Sequence, residues 1–347
     1  MQPRAQTINI LFAIVEFCRK RLKKAMPAFD LIACILLAII GVFGIFGNTN
    51  IILATIRKSY FRNKTGLLIC AVAFYDTIGL LCSLSIIVRS LLGVPRRQHD
   101  CFKTMGFSFA VQLFSVSALL TLAVDRLVAV SFPYWYTKIK TWVPLFCATI
   151  LGAAVSATII TFSVLKMEPD HDIPVCSEGT VLPRAVQSYG NLTFLVINSS
   201  IVGIYILAYL ILLFRKRNKS TLDNALSTSL NMHEKAMKSI AVFILVFSFS
   251  WFLSQILTAF LINIESSTSP VIFALKLIMV SSRTFSYAHC YYVYFFTSKD
   301  YRAAFLEQLR CAAGMRIFVT SNAISSSQFA QRSLQRRSKS GNSPRAD

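Results

Sequence analysis

Residues 31–56 read LIACILLAIIGVFGIFGNTNIILATI and contain no charged side chain. A helix rises about 1.5 Å per residue, so this stretch is long enough to cross the roughly 30 Å hydrocarbon layer of a bilayer. The basic pair Arg57 and Lys58 follows it immediately. An apolar stretch of this length that ends at basic residues is typical of a transmembrane helix.

Six further stretches of comparable length follow along the chain. The second is broken only by Asp76, and the seventh qualifies only if Lys276 and Arg283 are tolerated. Lys276 lies near one end, and Arg283 can face the interior of a helix bundle. We therefore predict an all-α integral membrane protein with a seven-transmembrane-helix bundle, whose helices are numbered below as spans 1 to 7. The predicted ranges of spans 2 to 7 are 65–88, 104–124, 141–165, 185–214, 239–264 and 266–298.

The composition favours a membrane protein over a soluble one. Of the 347 residues, 55% are hydrophobic and only 15% are charged, a balance that is unusual for a soluble globular domain. The formal net charge of +21 would suggest nucleic-acid binding in a soluble protein. Here the basic residues flank apolar spans, so we expect contacts with membrane lipid and no nucleic-acid partner.

The distribution of Lys and Arg predicts the orientation, because short cytoplasmic loops collect these residues. With the N-terminus outside, the inner segments contain 22 Lys and Arg residues and the outer loops contain seven. Residues 19–24, which read RKRLKK directly before span 1, argue against this orientation. The preceding residues 8–18 are too short to cross a bilayer and lack a signal-peptide cleavage site, so they are either an interfacial segment or an incorrectly assigned start. We expect a multi-pass plasma-membrane protein with an extracellular segment at 1–29 and the bundle at 30–298.

Nine cysteines are scattered along the chain without the CxxC pairs of a metal site. In the predicted topology, Cys101 opens span 3 and Cys176 lies in the loop before span 5, both on the oxidising side of the membrane. We expect a disulfide between them, which would tie this loop over the bundle. Two free thiols are the alternative.

A short amphipathic helix is predicted directly after span 7. Residues 299–310 read KDYRAAFLEQLR, in which an aromatic or leucine residue recurs every four positions. One apolar stripe on a basic helix is typical of a helix that lies on the inner leaflet. Cys311 follows it and is a candidate for palmitoylation. We expect this interfacial helix at 299–311 and a disordered cytoplasmic tail at 312–347.

Several short motifs stand in a fixed order along the chain. They are Gly47-Asn48 in span 1, Asp76 in span 2, Asp125-Arg126-Leu127 closing span 3, Pro133 in the next loop, Trp142 opening span 4, Phe247 to Trp251 in span 6, Tyr294 ending span 7, and Tyr301-Arg302. Any one of them is weak, but together they resemble the rhodopsin-like G-protein-coupled receptors over residues 30–310. Three stretches look like the nematode serpentine chemoreceptors of the Srsx class: GNTNIILATIRKSYFRNK (47–64), LLTLAVDRLVAVSFPYWY (119–136) and YFFTSKDYRAAF (294–305).

The resemblance implies a chemosensory receptor that binds a small molecule or peptide in the outer half of the bundle and activates a heterotrimeric G protein. Two departures stand out. The motif Asn-Pro-x-x-Tyr is replaced by Cys290-Tyr291-Tyr292-Val293-Tyr294, and Leu253 stands where span 6 usually has a proline. Proline kinks act as hinges in such bundles, so the motion of span 6 must depend on something other than a proline.

The resemblance also implies roles at the inner end of the bundle. Asp125 would hold Arg126 at rest and release it toward the G protein on activation. The alternative is a salt bridge at a helix end with no switching role. We expect Arg126, Lys235 and Lys238 to line the cleft that opens when span 6 swings outward, and we expect Tyr294 to take part in coupling.

A polar cluster is predicted in the middle of the bundle. Asn48, Asp76, Ser115 and Ser286 fall at similar depths when the helical rise is counted along each span. A carboxylate at that depth is costly unless it is paired, hydrated or neutralised. The resemblance implies a polar core that responds to sodium and protons, with a possible sodium site near Asp76. The alternative is a hydrogen-bonded structural core.

The outer half of the bundle carries the candidate ligand site. Ser108 stands where amine receptors have an aspartate, and Thr284 stands where visual pigments have their retinal lysine, so neither ligand is expected. We hypothesise that Arg283 faces the interior near Gln112 and binds an anionic or strongly accepting group of the ligand. The competing hypothesis is an internal ion pair between Arg283 and Asp76. The residues expected to contact ligand are Ser108, Phe109, Gln112, Trp251, Ser254, Gln255, Thr258 and Arg283.

Two other classes of protein fit less well. An intramembrane metallohydrolase needs several His and Asp side chains at one metal. Here His99, His171 and His233 lie in predicted loops and only His289 lies within a span, so we expect neither an enzyme nor a cofactor. A seven-helix transporter or ligand-gated channel is the alternative, although the sequence shows no inverted repeat and no matching pair of Gly- or Pro-broken helices.

Overall fold

A computed structural model describes residues 28–92, 98–167, 182–217, 224–262 and 270–312 of the chain. Within these ranges the chain forms helices joined by short turns, and no strand. Seven of the described helices are long and apolar enough to cross a membrane. The predicted fold class, an all-α bundle of seven membrane spans, is confirmed.

Spans 1 to 7 comprise Ala28–Arg57, Lys64–Leu92, Gln98–Ser131, Val143–Lys166, Arg184–Arg217, Asn224–Ile262 and Pro270–Ala288, and span 7 continues as Cys290–Thr297. Three shorter helices accompany them: a 3-10 turn at Ser59–Phe61, a loop helix at Pro133–Lys138 and an interfacial helix at Lys299–Ala312. We call the end of the bundle that carries Asp125 and Arg126 the inner end, and the opposite end the outer end.

Spans 3 and 6 are longer than the charge-free stretches that predicted them. Span 3 begins at Gln98 instead of residue 104, and span 6 begins at Asn224 instead of residue 239. The helical backbone does not stop at a charged side chain, because polar side chains at a helix end can reach water while the backbone hydrogen bonds continue. The motif that was expected to close span 3 therefore lies within the helix, before its end at Ser131.

Span 3 is the central helix of the bundle. In the most apolar 18-residue stretch of span 3, 67% of the residues are buried. The corresponding share is 22% in spans 1, 4 and 7. Large apolar side chains such as Leu165 and Phe249, each 72% exposed, point away from the bundle interior. Exposed apolar side chains in such numbers along the spans require contact with lipid instead of water.

Glycine allows two pairs of helices to approach closely. A Cβ atom at Gly47 in span 1 would lie 2.6 Å from the Cβ atom of Tyr291 in the continuation of span 7. A Cβ atom at Gly152 in span 4 would lie 2.6 Å from a ring carbon of Phe114 in span 3. Small residues at such contacts let helix backbones pack directly in a membrane, where no hydrophobic force draws helices together.

Span 7 comprises two helical segments that meet at His289, where no proline stands and the backbone dihedral angles stay helical, with φ −81° and ψ −17°. The backbone N–H of His289 donates to the Phe285 carbonyl at 3.2 Å, and the N–H of Val293 donates to the His289 carbonyl at 3.0 Å. Span 6 is different, because it runs without interruption over Asn224–Ile262 and contains neither proline nor glycine.

The chain divides into two compact units, residues 1–305 and 306–347. The first unit contains the seven spans, the loop helix and the start of the interfacial helix. The second is described over residues 306–312, which are helical. The expected extracellular segment up to residue 27 and the expected tail from residue 313 lie outside the described residues.

Candidate functional site

The inner end of span 3 carries a buried ion pair. The Arg126 Nη2 atom lies 2.5 Å from the Asp125 Oδ2 atom, and the Nε atom lies 3.1 Å from the same oxygen. Both residues are only 5% exposed. Two charges are stable at such burial only when they are paired and hydrogen-bonded further.

Two neighbouring hydroxyl groups complete this pair. Arg126 donates to the Thr65 hydroxyl at the start of span 2 and, from Nη2, to the Tyr136 hydroxyl of the loop helix at 3.1 Å. In turn, Thr65 and Tyr136 donate to the Asp125 Oδ2 atom at 3.3 and 3.4 Å. We call Thr65, Asp125, Arg126 and Tyr136 the inner network. It joins span 3 to span 2 and to the loop helix.

Lys64 fixes the position of Tyr136. Its ammonium lies 3.8 Å from the centre of the Tyr136 ring and donates to the Tyr136 backbone carbonyl. Burial raises the pKa of the Tyr136 hydroxyl to about 12, so this group stays protonated and able to donate at physiological pH. Sequence reasoning identified Asp125 and Arg126 but missed Thr65 and Tyr136. The available signal was the position of Tyr136 in a short helix that begins at Pro133, only a few residues after Arg126.

A second ionic cluster joins spans 5 and 6 at the inner end. Glu234 in span 6 binds Lys216 of span 5 at 2.6 Å and Lys238, one turn along span 6, at 2.8 Å. Hydrogen bonds from Lys216 and Lys238 lower the pKa of Glu234 to about 2. Tyr205 of span 5 also donates to the Met237 backbone carbonyl of span 6. Spans 5 and 6 are therefore joined to each other at this end.

Tyr294 lies between span 6 and the interfacial helix. Its buried ring is 5.7 Å from the ring of Phe243 and 4.9 Å from that of Tyr301, centre to centre. Tyr301 stacks in turn on Phe61 at 4.1 Å. Within the described part of the chain, neither the Tyr294 nor the Tyr301 hydroxyl has a hydrogen-bond partner.

The middle of the bundle brings together part of the predicted polar core. Ser115 donates to the Asp76 Oδ1 atom at 2.7 Å, and both residues are buried. Asn48 donates to the backbone carbonyl of Tyr287 at 2.9 Å, and Ser286 donates to the backbone carbonyl of its own helix at residue 283 at 2.7 Å. Asn48 and Ser286 thus bind the backbone of span 7, while Ser115 binds the carboxylate.

In the outer half, the predicted ligand residues lie on spans 3, 6 and 7. Ser108, Phe109, Gln112, Trp251 and Ser254 are buried, and Gln255 and Thr258 are partly buried. Thr258 donates to the backbone carbonyl of its own helix at Ser254, at 2.7 Å.

Phe194 of span 5 links two of these residues. Its ring centre is 5.3 Å from that of Phe109 and 5.7 Å from that of Trp251. Sequence reasoning missed Phe194, because one aromatic residue in a charge-free span carries no distinguishing signal. We call Phe109, Gln112, Phe194, Trp251 and Arg283 the outer cluster.

Arg283 lies beside Gln112, as predicted. Its Nη2 atom is 3.4 Å from the Gln112 Oε1 atom, which joins span 7 to span 3. The Asp76 carboxylate accepts from Ser115, and among the described residues it makes no ion pair. Both hypotheses for Arg283, ligand binding and a pair with Asp76, remain predictions.

A sequence model of the family described as "Serpentine type 7TM GPCR chemoreceptor Srsx" matches residues 41–309. The matched range contains the inner network, the polar core and the outer cluster. The chain belongs to the Srsx chemoreceptor family. The resemblance seen in the sequence is therefore confirmed. No curated protein matches this chain.

The roles of all the predicted site residues of this Srsx receptor remain predictions, and for four of them the side chain or its expected partner lies outside the described residues. Cys101 is buried at the start of span 3, but Cys176 lies outside the described residues, so their pairing is untested. The side chains of Lys235 and Cys311 also lie outside the described part. Among the residues that the structure describes, no group of three or more His, Cys, Asp or Glu side chains could hold a metal ion.

Proposed function

We propose that this chain is a plasma-membrane chemoreceptor that binds a small molecule or peptide at the outer cluster and activates a heterotrimeric G protein at the inner end. The observation that carries the proposal is the inner network, in which Arg126 is buried and held by Asp125, Thr65 and Tyr136. A charged side chain buried at an end of a membrane bundle marks a functional site by default. A switch requires two discrete arrangements of the same residues. In the first arrangement Arg126 is held in the inner network, and in the second it is released from that network.

Span 3 connects the two ends of the proposed receptor. It carries Phe109 and Gln112 in the outer cluster and Asp125 and Arg126 in the inner network. A ligand that binds better when span 3 or span 6 has moved shifts the population toward that state. The released Arg126 would then face a cleft that a G-protein helix fills, with Lys235 and Lys238 at its edge.

The ligand that best fits the outer cluster is one with an anionic or strongly accepting group. Arg283 supplies a fixed positive charge and Gln112 an amide, while Ser108 and Ser254 add buried hydroxyls. Phe194 and Trp251 supply aromatic walls for the apolar part of the ligand. The guanidinium can pair with a carboxylate or phosphate through two hydrogen bonds.

The Asp76 and Ser115 pair is the part of the polar core for which we propose a sodium-sensitive role. A carboxylate and a hydroxyl 2.7 Å apart offer the oxygen ligands that Na⁺ prefers. Asn48 and Ser286 would assist by fixing the backbone of span 7 next to it. We expect sodium bound there to favour the resting state, because it would hold span 2 and span 3 together through Asp76 and Ser115.

The experiment that tests the proposal is a ligand screen in cells that report second messengers, with Arg126→Ala as the silent control. A response of the wild type that is absent in the Arg126→Ala variant at equal surface expression supports the proposal. A ligand-evoked current or solute uptake that survives in Arg126→Ala would support the transporter or channel alternative instead.

The proposed orientation has its own test. Epitope tags are placed before residue 28 and after residue 312 and are detected with and without permeabilisation of the cells. The proposal requires the first tag to be accessible from the medium and the second only after permeabilisation. The opposite result would place the inner network on the outside of the cell and exclude G-protein coupling there.

A further inference from the structure

His289 lies where the two helical segments of span 7 meet, and it faces span 6. Its imidazole is 2% exposed and lies among aromatic rings. The ring centres of Phe243 and Phe247 in span 6 are 5.1 and 6.3 Å away, and that of Phe285 in span 7 is 5.8 Å away. The planes lie within 29° of parallel, so the imidazole is stacked between the two spans.

The two ring nitrogens of His289 face two backbone carbonyls on different spans. The Nε2 atom is 3.4 Å from the Phe243 carbonyl oxygen in span 6, and the Nδ1 atom is 3.3 Å from the Phe285 carbonyl oxygen in span 7. A neutral imidazole carries a single N–H group, so it can donate to only one of these oxygens at a time. Donation from Nε2 ties the two spans together, and donation from Nδ1 does not.

The contact has the features of a tie that can be broken. Only one of the two nitrogens of the neutral imidazole carries a proton. The other nitrogen faces a carbonyl oxygen without forming a hydrogen bond, so His289 makes one of these two hydrogen bonds and not both. Span 6 has no proline or glycine at which to bend over Asn224–Ile262. Relative movement of spans 6 and 7 at this level therefore has to break the cross-span contact between His289 and the Phe243 carbonyl.

We propose that His289 is the positioning residue that holds span 6 against span 7 in the resting state, through donation from Nε2 to the Phe243 carbonyl. This inference rests on the proposed receptor function. Outward motion of span 6 breaks this contact. Span 6 contains neither proline nor glycine at which it could bend, so its movement relative to span 7 depends on loss of the contact at His289.

The test uses three variants that separate the donor from the ring. His289→Gln keeps a donor close to the position of Nε2, and His289→Asn keeps one only close to Nδ1. His289→Phe keeps the stacked ring and removes both nitrogens. Thr284→Val is the matched control, because Thr284 lies five residues away on span 7 and its hydroxyl donates to its own helix at Val280.

The measured quantity is the ligand-independent second-messenger signal per receptor at the cell surface. Loss of one resting-state hydrogen bond should raise it roughly 2- to 12-fold in His289→Asn and His289→Phe, while His289→Gln and Thr284→Val stay at the wild-type value. A purely structural role predicts fewer receptors at the surface and an unchanged signal per receptor. An unchanged signal per receptor in His289→Asn and His289→Phe would overturn the proposal.

A second measurement does not require a G protein. Hydrogen–deuterium exchange of purified receptor is followed in peptides from the inner half of span 6, residues 237–250. The proposal requires faster exchange in His289→Asn and His289→Phe than in the wild type and His289→Gln, and equal rates in all four would refute it. If no variant signals through any G protein, the proposed function fails, and exchange still decides whether His289 ties the spans.

Discussion

Replacing Tyr136 by Phe removes one hydroxyl group from the inner network and leaves the ring in place. In the structure that hydroxyl accepts from Arg126 at 3.1 Å and donates to Asp125 at 3.4 Å. The ring keeps its contact with the Lys64 ammonium, 3.8 Å from its centre. The substitution therefore tests the hydrogen bonds of Tyr136 and spares its packing.

The expected size of the effect follows from the two bonds that are lost. A hydrogen bond to a charged group contributes about 1.5–3 kcal/mol, and both bonds are near the long end of the accepted range, so we take about 1.5 kcal/mol in total. That value corresponds to about a tenfold change in the ratio of active to resting receptors. A resting population with roughly one active receptor in a hundred would rise to roughly one in ten.

The assay is the ligand-independent second-messenger signal, divided by the number of receptors at the cell surface. Tyr134→Phe is the matched control: Tyr134 lies two residues away in the same loop helix, and it is 68% exposed. We expect about a tenfold increase for Tyr136→Phe and none for Tyr134→Phe. A wild-type basal signal in Tyr136→Phe at wild-type surface expression would refute the claim that the inner network restrains Arg126.

Three further predictions concern other parts of the receptor. Arg283→Gln should weaken the response to an anionic agonist by about 10- to 100-fold with unchanged surface expression; a loss of surface expression alone would count against the ligand role. Asp76→Asn should abolish any decrease of basal activity by Na⁺, measured by replacing Na⁺ with choline, and persistence of the sodium effect would exclude this site. Glu234 has a pKa lowered to about 2, so its ion pairs give stability that is present above the ordinary carboxyl pKa and lost as the pH falls through about 2. Titration of Glu234 should therefore add no pH dependence to thermal stability between about pH 5 and 8. The Glu234→Gln substitution should lower the unfolding midpoint by only about 1–3 °C. A steep loss of wild-type stability near pH 5 that is absent in Glu234→Gln would contradict this assignment.

The spans could be predicted because a bilayer imposes a single strong constraint on the sequence. A charge-free stretch such as residues 31–56 has few other uses, and its length follows from the thickness of the hydrocarbon layer. The ends of spans 3 and 6 could not be predicted in the same way. The predicted stretches end at the first charged residues. The helices continue to Gln98, beside which His99 and Asp100 are exposed, and to Asn224.

The candidate site could be predicted where one residue carries its own signal. Arg283 is a charged residue in an apolar span, so its inward position beside Gln112 was foreseeable. Tyr136 could not be predicted because it contacts Lys64, which lies far from it in sequence. Phe194 could not be predicted because any apolar span might contain such an aromatic ring. The cross-span position of His289 required the register between spans 6 and 7, which no local pattern encodes.

The most direct test of the central claim uses purified receptor and purified G proteins, with no ligand required. Tyr136→Phe receptor is reconstituted in lipid vesicles with representatives of each G-protein class, and the rate of guanine-nucleotide exchange is measured. Release of Arg126 from the inner network should make this variant accelerate exchange about tenfold over the wild type on at least one G protein, and adding Arg126→Ala should abolish the acceleration. Exchange at the uncatalysed rate on every G protein, from receptor shown to be folded, would contradict the account.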